Sequence, residues 1–226
     1  MKITIISDTH GLHRHLNLES YSGDILIHAG DVLNNGFEEY LLEDFLMWMD
    51  ALRYKHKIFI AGNHDKMFQY DSWSARRIYA KFPFITYLQD ESITIDGIKI
   101  YGLPWTLRFH NWAFGVDIDS NKYFEILSKI DPDVDILISH GPPYDILDKS
   151  ANNNQILGCY RLLDKINEIN PKIHAFGHIH NSYGYINKNN IHFINASVLN
   201  DDYKVVNKPI HFDLDYDNNM INFLHL

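Results

Sequence analysis

The stretch Ile25-Leu26-Ile27-His28-Ala29-Gly30-Asp31 decides how this chain is read. An apolar run ends in a glycine and then a carboxylate. A strand buried on both faces is continuously apolar, and a parallel strand delivers the residues after it to the C-terminal edge of its sheet. Ligands of open α/β sheets bind at that edge. The pattern recurs four times. Ile3 to Ile6 leads into Ser7-Asp8-Thr9-His10, and Ile58 to Ile60 into Ala61-Gly62-Asn63-His64-Asp65. Ile136 to Ile138 leads into Ser139-His140-Gly141, and Ile173 to Phe176 into Gly177-His178-Ile179-His180. Five strands therefore end in Asp, Asn or His, and Asp31 is the carboxylate around which the others gather.

The 226 residues suit one large domain or two small ones, and no linker or repeat divides them, so positions 1–226 read as one domain. With 46% hydrophobic residues the chain can bury a core. A net charge of -9 argues against a protein that grips extended nucleic acid. A small phosphate ligand stays open, because bound cations can supply local positive charge. The single cysteine, Cys159, excludes an intrachain disulfide and a cysteine-based zinc site and reads as a small buried residue. No signal peptide or run of transmembrane length is present, so the expectation is a soluble cytoplasmic protein. Asn195-Ala196-Ser197 fits a glycosylation sequon by chance.

Helical periodicity covers Phe37 to Leu52, with Leu41, Leu42, Phe45, Leu46 and Met49 on roughly one face. Helices also read at Trp73 to Phe82, Asn121 to Ile130 and Tyr160 to Asn170. Asp96-Gly97 between two alternating segments predicts a hairpin with a two-residue turn. Ser150 to Asn154 reads as a polar, mobile loop. Ile191 to Asn195 and Ile210 to Leu214 read as strands closing a second sheet, and His13 and His15 as surface residues. Two packed sheets with helices outside are the economical architecture.

Asp8 and His10 lie two apart, as do His178 and His180, so each pair points to one side of an extended backbone. Asp8, His10, Asp31, Asn63, His140, His178 and His180 are too many donors for one tetrahedral zinc. They suit two metals bridged by Asp31. Asp8, His10 and His180 would complete one site, and Asn63, His140 and His178 the other. Two ions roughly 3.5–4 Å apart clamp the attacking and leaving oxygens of a phosphoryl transfer and turn a bridging water into hydroxide. His64 would protonate the leaving oxygen, with Asp65 fixing its tautomer. A structural His64 held by Asp65 is the competing reading. The mixed donors suit Mn, Fe, Ni, Co or Zn better than Mg alone, with manganese the first choice for loading. Trp105, Phe109, His110, Trp112 and Phe114 form either a patch over the sheet edge or a wall on which a base stacks. Trp105, Trp112, Asn34 and Arg14 are the candidate substrate contacts.

Together, Asp8-x-His10, Gly30-Asp31, Gly62-Asn63-His64-Asp65, His140-Gly141 and Gly177-His178-x-His180 resemble the calcineurin-like metallophosphoesterases. The resemblance implies a four-layer α-β-β-α sandwich of two mixed sheets, a dinuclear centre bridged by Asp31, and His64 as the catalytic histidine. Tyr54 to Lys57, Asn111 to Phe114, His140 to Pro143, Gly158-Cys159, Pro171 to His174 and Phe193 to Ser197 are similar to the metallophosphoesterase-domain-containing branch. That branch implies phosphodiesterase activity, including on 2′,3′- and 3′,5′-cyclic nucleotides. Its Asn-His motif often continues with Glu, where this chain has Asp65. The expected function is hydrolysis of small phosphodiesters or nucleotides by a metal-bridging hydroxide. A phosphomonoesterase or nuclease on the same centre, and a non-enzymatic scaffold, are the alternatives. Composition does not indicate an oligomeric state.

Overall fold

The computed structural model describes residues 1–151 and 155–225; residues 152–154 of the polar loop read at Ser150 to Asn154 lie outside them. Three of the apolar runs become β1 (Lys2–Ile6), β2 (Ser22–His28) and β3 (Arg53–Phe59), which lie side by side and parallel. Helix α1 (Glu39–Ala51) carries the chain from β2 to β3. It starts after Glu38, whose carboxylate accepts the N–H groups of Asn35, Gly36 and Phe37, so Phe37 stays outside the helix. Helices α2 (Lys66–Tyr70) and α3 (Ser72–Tyr79) lead to β4 (Ile85–Tyr87), parallel to β3.

The second sheet begins with the hairpin β5 (Glu91–Ile95) and β6 (Ile98–Leu103). Asp96 and Gly97 at its turn have φ of 48° and 83°, the left-handed pair that a type I′ turn demands. A two-strand ribbon of β7 (Thr106–Leu107) and β8 (Gly115–Val116) follows, then α4 (Asn121–Ser128). Strand β9 (Ile136–Ser139), helix α5 (Tyr160–Ile169) and β10 (Ile173–Phe176) give the second parallel core. Strands β11 (Gly184–Lys188) and β12 (Ile191–Asn195) extend it, with β12 parallel to β10. Strand β13 (Ile210–Asp215) departs from expectation, and β14 (Met220–His225), which was not read from the sequence, follows it. They return to the first sheet, where β13 runs antiparallel to β1. The sheet orders are β14-β13-β1-β2-β3-β4 and β11-β12-β10-β9-β6-β5. Alternation alone cannot say which sheet a terminal strand joins.

The side chains explain the layering. Ile3, Ile5, Ile25, Ile27, Ile58 and Ile60 point from the first sheet into one buried cluster with Ile98, Ile100, Ile136, Ile138, Ile173 and Ile194 of the second. Their neighbours Leu26, Phe59, Leu137 and Phe176 face outward into a cluster with Phe45, Leu46 and Met49 of α1 and Leu162 and Ile166 of α5. Each parallel strand is thus apolar on both faces, and the result is the α-β-β-α sandwich expected from the sequence. A fully buried isoleucine contributes about 1.5–3 kcal/mol, so the inter-sheet layer is a principal source of stability. Cys159 is buried at the start of α5, where its Sγ accepts the Leu162 N–H. The Asn195 side chain is buried and donates to the Leu147 and Ile179 carbonyls, which removes the sequon from any surface. His13, expected at the surface, is fully buried beside Phe45 and Trp48, with Nε2 against Asp44.

His174 lies under the outer layer of the second sheet, its Nε2 paired with the Ser139 hydroxyl. Burial pushes its pKa down to about 3. The folded chain therefore keeps His174 neutral, while the unfolded chain protonates it below about pH 6.5. This residue costs no stability above that pH and lowers it progressively as pH falls toward 3. We expect His174→Gln to reduce the slope of unfolding free energy against pH by about 1.4 kcal/mol per unit between pH 6 and 4. Urea titrations of both proteins would measure this, and parallel slopes would contradict the assignment.

Candidate metal centre

The C-terminal ends of the parallel strands of both sheets meet at one place. Backbone bonds from Asp8 N to Gly30 O and from His10 N to Asp31 O zip together the loops after β1 and β2. Gly177 N to His140 O does the same for the loops after β9 and β10, and Ser7 N to Ala196 O ties the two sheets. Asp8, His10, Asp31 and His178 all have positive φ, between 43° and 69°. Non-glycine residues rarely adopt that conformation, and its clustering marks a site where geometry is held against local preference.

All seven donors are brought together. Asp31 is at the centre: Oδ1 accepts the His64 N–H at 2.8 Å, while Oδ2 lies 3.2 Å from His140 Nε2 and 3.6 Å from His10 Nε2. Asn63 Oδ1 is 3.0 Å from His140 Nε2. Asp8 accepts the His178 N–H, and its Oδ1 is 3.5 Å from His180 Nε2. Ligand atoms of Asp8, His10 and His180 lie within 4.8 Å of one another, as do those of Asp31, His140 and His178. These are the two half-sites read from the sequence. His64 also comes into range of His10 and Asp31.

A further regularity was not legible in the sequence. His10, His140 and His180 each turn Nδ1 to a backbone carbonyl, of Leu33, Ala29 and Asn200 respectively. A carbonyl only accepts, so Nδ1 carries a hydrogen and Nε2 is the atom turned to the cluster, where it offers a lone pair whenever the ring is neutral. Close packing fixes the carboxylates as well. A Cβ at Gly62 would overlap Asp31 Oδ1, and one at Gly177 would overlap Asp8 Oδ2.

Burial, reinforced by neighbouring imidazoles and only partly offset by Asp31 and Asp8, pushes His10 and His178 down to about 4. Burial opposes the charge on His140 and His180 too, but Asp31 beside one and Asp8 beside the other raise both to about 9. Burial likewise opposes ionisation of Asp8 and Asp31, yet the imidazoliums hold both carboxyls below their ordinary range. The buried His10 Nε2 has no hydrogen-bond partner. An orphaned imidazole lone pair facing two carboxylates fits divalent cations, and the mixed nitrogen and oxygen donors suit borderline transition ions.

A calcineurin-like phosphoesterase family model matches residues 1–182. The chain belongs to that family. It is 34% identical to human metallophosphoesterase domain-containing protein 1, over 94% of this chain and 71% of that protein, and equally similar to the mouse protein of that name. The protein TT1561 of Thermus thermophilus shares the fold at 13% identity, with a TM-score of 0.65 over 98% of this chain and 97% of that one. Another solved structure superposes at a TM-score of 0.72 with 16% identity, covering 98% and 97% of the two chains. The family and the donor clusters together support a metal-dependent phosphoesterase. Among the described residues, no helix is long and apolar enough to cross a membrane.

Other expected roles change. Asp65 does not touch the His64 ring. Its buried carboxylate accepts the N–H groups of Val32, Leu33 and Gly62, tying the loops after β2 and β3 together. Burial and nearby Asp31 raise its pKa to about 7 against those three donors. The group that orients His64 is the Asn34 carbonyl, which accepts from Nδ1 at 2.6 Å, so Asn34 acts here through its backbone. Trp112 stacks on His64 with centroids 4.0 Å apart. Trp105 is 7% exposed, donates its indole N–H to Asp90 and lines a narrow cavity that ends at His178. It packs as part of the interior rather than as an open wall. Arg14 makes a two-point bond to Asp44 of α1 and is not brought into the cluster. Tyr203, which no sequence pattern marks, reaches the centre from a polar loop; its ring is 4.9 Å from that of His10.

The glycine contacts give a direct test. Gly177→Ala should displace Asp8 and lower the manganese bound after dialysis, while far-ultraviolet circular dichroism keeps the native sheet signature. Full manganese content in that variant would show that the loop yields and that the close approach does not position Asp8.

Proposed function

We propose that this chain hydrolyses small phosphodiesters, cyclic nucleotides among them, at a centre of two divalent ions. Asp8, His10, Asp31 and His180 would hold one ion, and Asp31, Asn63, His140 and His178 the other. When bound, the ions supply the charge that polarises a phosphoryl group and acidifies a water molecule. Asp31 fixes the spacing of the half-sites by offering one carboxylate to both. The carbonyls behind His10, His140 and His180 keep those rings oriented while the reaction proceeds.

His64 is half-buried at the edge of the cluster. With Nδ1 bound to the Asn34 carbonyl, its Nε2 is the atom left to exchange a proton with the departing ester oxygen. Trp112 stacked on the ring and His10 edge-on at 4.5 Å restrict its rotation.

The charge around the cluster carries the choice of diester. A phosphomonoester is a dianion, and proteins commonly meet the extra charge with arginine forks. Arg14, Arg77, Arg108 and Arg161 are each ion-paired with a carboxylate of the chain. Arg14 is turned to Asp44, Lys66 holds its Nζ 4.4 Å over the Trp112 ring that stacks on His64, and the net charge is -9. A monoanionic diester suits such a site better than a monoester, and better than a long polyanion.

The test is turnover of metal-stripped protein refilled with manganese. The panel would hold bis-p-nitrophenyl phosphate, p-nitrophenyl phosphate, both cyclic AMP isomers and single-stranded DNA. Diesters should turn over well ahead of the monoester and DNA; preference for either of those would overturn the reading. His64→Ala should keep its manganese and lose kcat by roughly 10²–10⁴. Loss of metal in that variant would make His64 a ligand instead of an acid.

A further inference from the structure

Tyr203 lies in the loop after β12, outside the set of metal donors. Three rings of the centre surround it: His10 at 4.9 Å, His180 at 5.5 Å and His64 at 6.4 Å between centroids. The residue is nevertheless 44% exposed. Its φ is 57°, a conformation that bulky residues rarely adopt.

Asn200 holds the loop in that form. Its carbonyl accepts the Tyr203 N–H, and its side-chain Oδ1 accepts the N–H groups of Asp202 and Lys204. The same carbonyl accepts from His180 Nδ1. The turn that projects Tyr203 is therefore built onto a residue of the donor cluster. An aromatic ring set among three imidazoles of the centre yet left 44% exposed is placed to meet a ligand. The two tryptophans read as candidate contacts are poorly placed for one. Trp105 is buried, and Trp112 is covered by His64 on its face and approached by Lys66 Nζ at 4.4 Å.

We infer that Tyr203 is a specificity-determining residue whose open ring face stacks on a flat aromatic ester group of the substrate, while the phosphoryl group occupies the centre beside His10 and His64. This rests on the phosphodiesterase reading and adds the class of ester group that the site selects. Stacking on an aromatic side chain tolerates any planar ring, so the selection is for flatness and not for one base.

The test uses the full chain loaded with manganese and two matched probes, phenylphosphonate and methylphosphonate, in calorimetric titrations. Tyr203→Asn removes the ring with a residue that accepts positive φ. Tyr203→Phe keeps the ring. The wild type should prefer phenylphosphonate by about tenfold, within the range of one aromatic stack. Tyr203→Phe should retain that preference, and Tyr203→Asn should lose it with methylphosphonate affinity and manganese content unchanged. A preference that survives in Tyr203→Asn would overturn the inference and leave the phosphodiesterase reading intact. Equal weakening of both probes, or loss of manganese, would also overturn it, since Tyr203 would then only support the His180 loop. A wild type that binds neither probe and hydrolyses no diester would sink both readings together.

Discussion

One buried carboxylate, Asp31, is what the arrangement depends on. It is 2% exposed and lies between His140 of the second sheet and His10 of the first. An isolated carboxylate in such a place would be strongly destabilising. Here it is compensated by the His64 N–H, by the charge on His140 and, when they are bound, by cations. The inter-sheet isoleucine layer brings the two strand edges together, and Asp31 gives them a shared electrostatic target. Core and site are therefore coupled: a change that slides one sheet over the other would separate the two half-sites.

Much of this was legible in the sequence because it lies in short local patterns. An apolar strand followed by Asp, Asn or His fixes both the strand and where its polar end points. All seven residues that the structure gathers at the strand ends were singled out this way, and Asp96-Gly97 gave its hairpin by turn chemistry alone. What failed was nonlocal. Strand β13 has the same alternation whichever sheet it joins, and its place beside β1 is set by tertiary pairing. His13 looked polar and local, but α1 folds over it.

Site roles obeyed the same division. Asp65 follows His64 directly, which suggested that it holds the ring. Its three N–H donors come from Val32, Leu33 and Gly62, two of them more than 30 positions away in sequence. Asn34 was singled out as a candidate substrate contact, and the structure shows its carbonyl, a group that every residue has and no sequence pattern marks, bound to His64 Nδ1. Tyr203 carries no motif: it is one aromatic in a polar turn, and only the packing of His10, His64 and His180 gives it meaning.

The central claim is that a single carboxylate joins two metal sites. Electron paramagnetic resonance of the manganese-loaded protein, read against its metal content, tests this most directly. Two manganese ions per chain with the multiline spectrum of an exchange-coupled pair are predicted, since ions that share Asp31 must lie within a few ångströms. One ion per chain, or two with the spectrum of isolated centres, would contradict it.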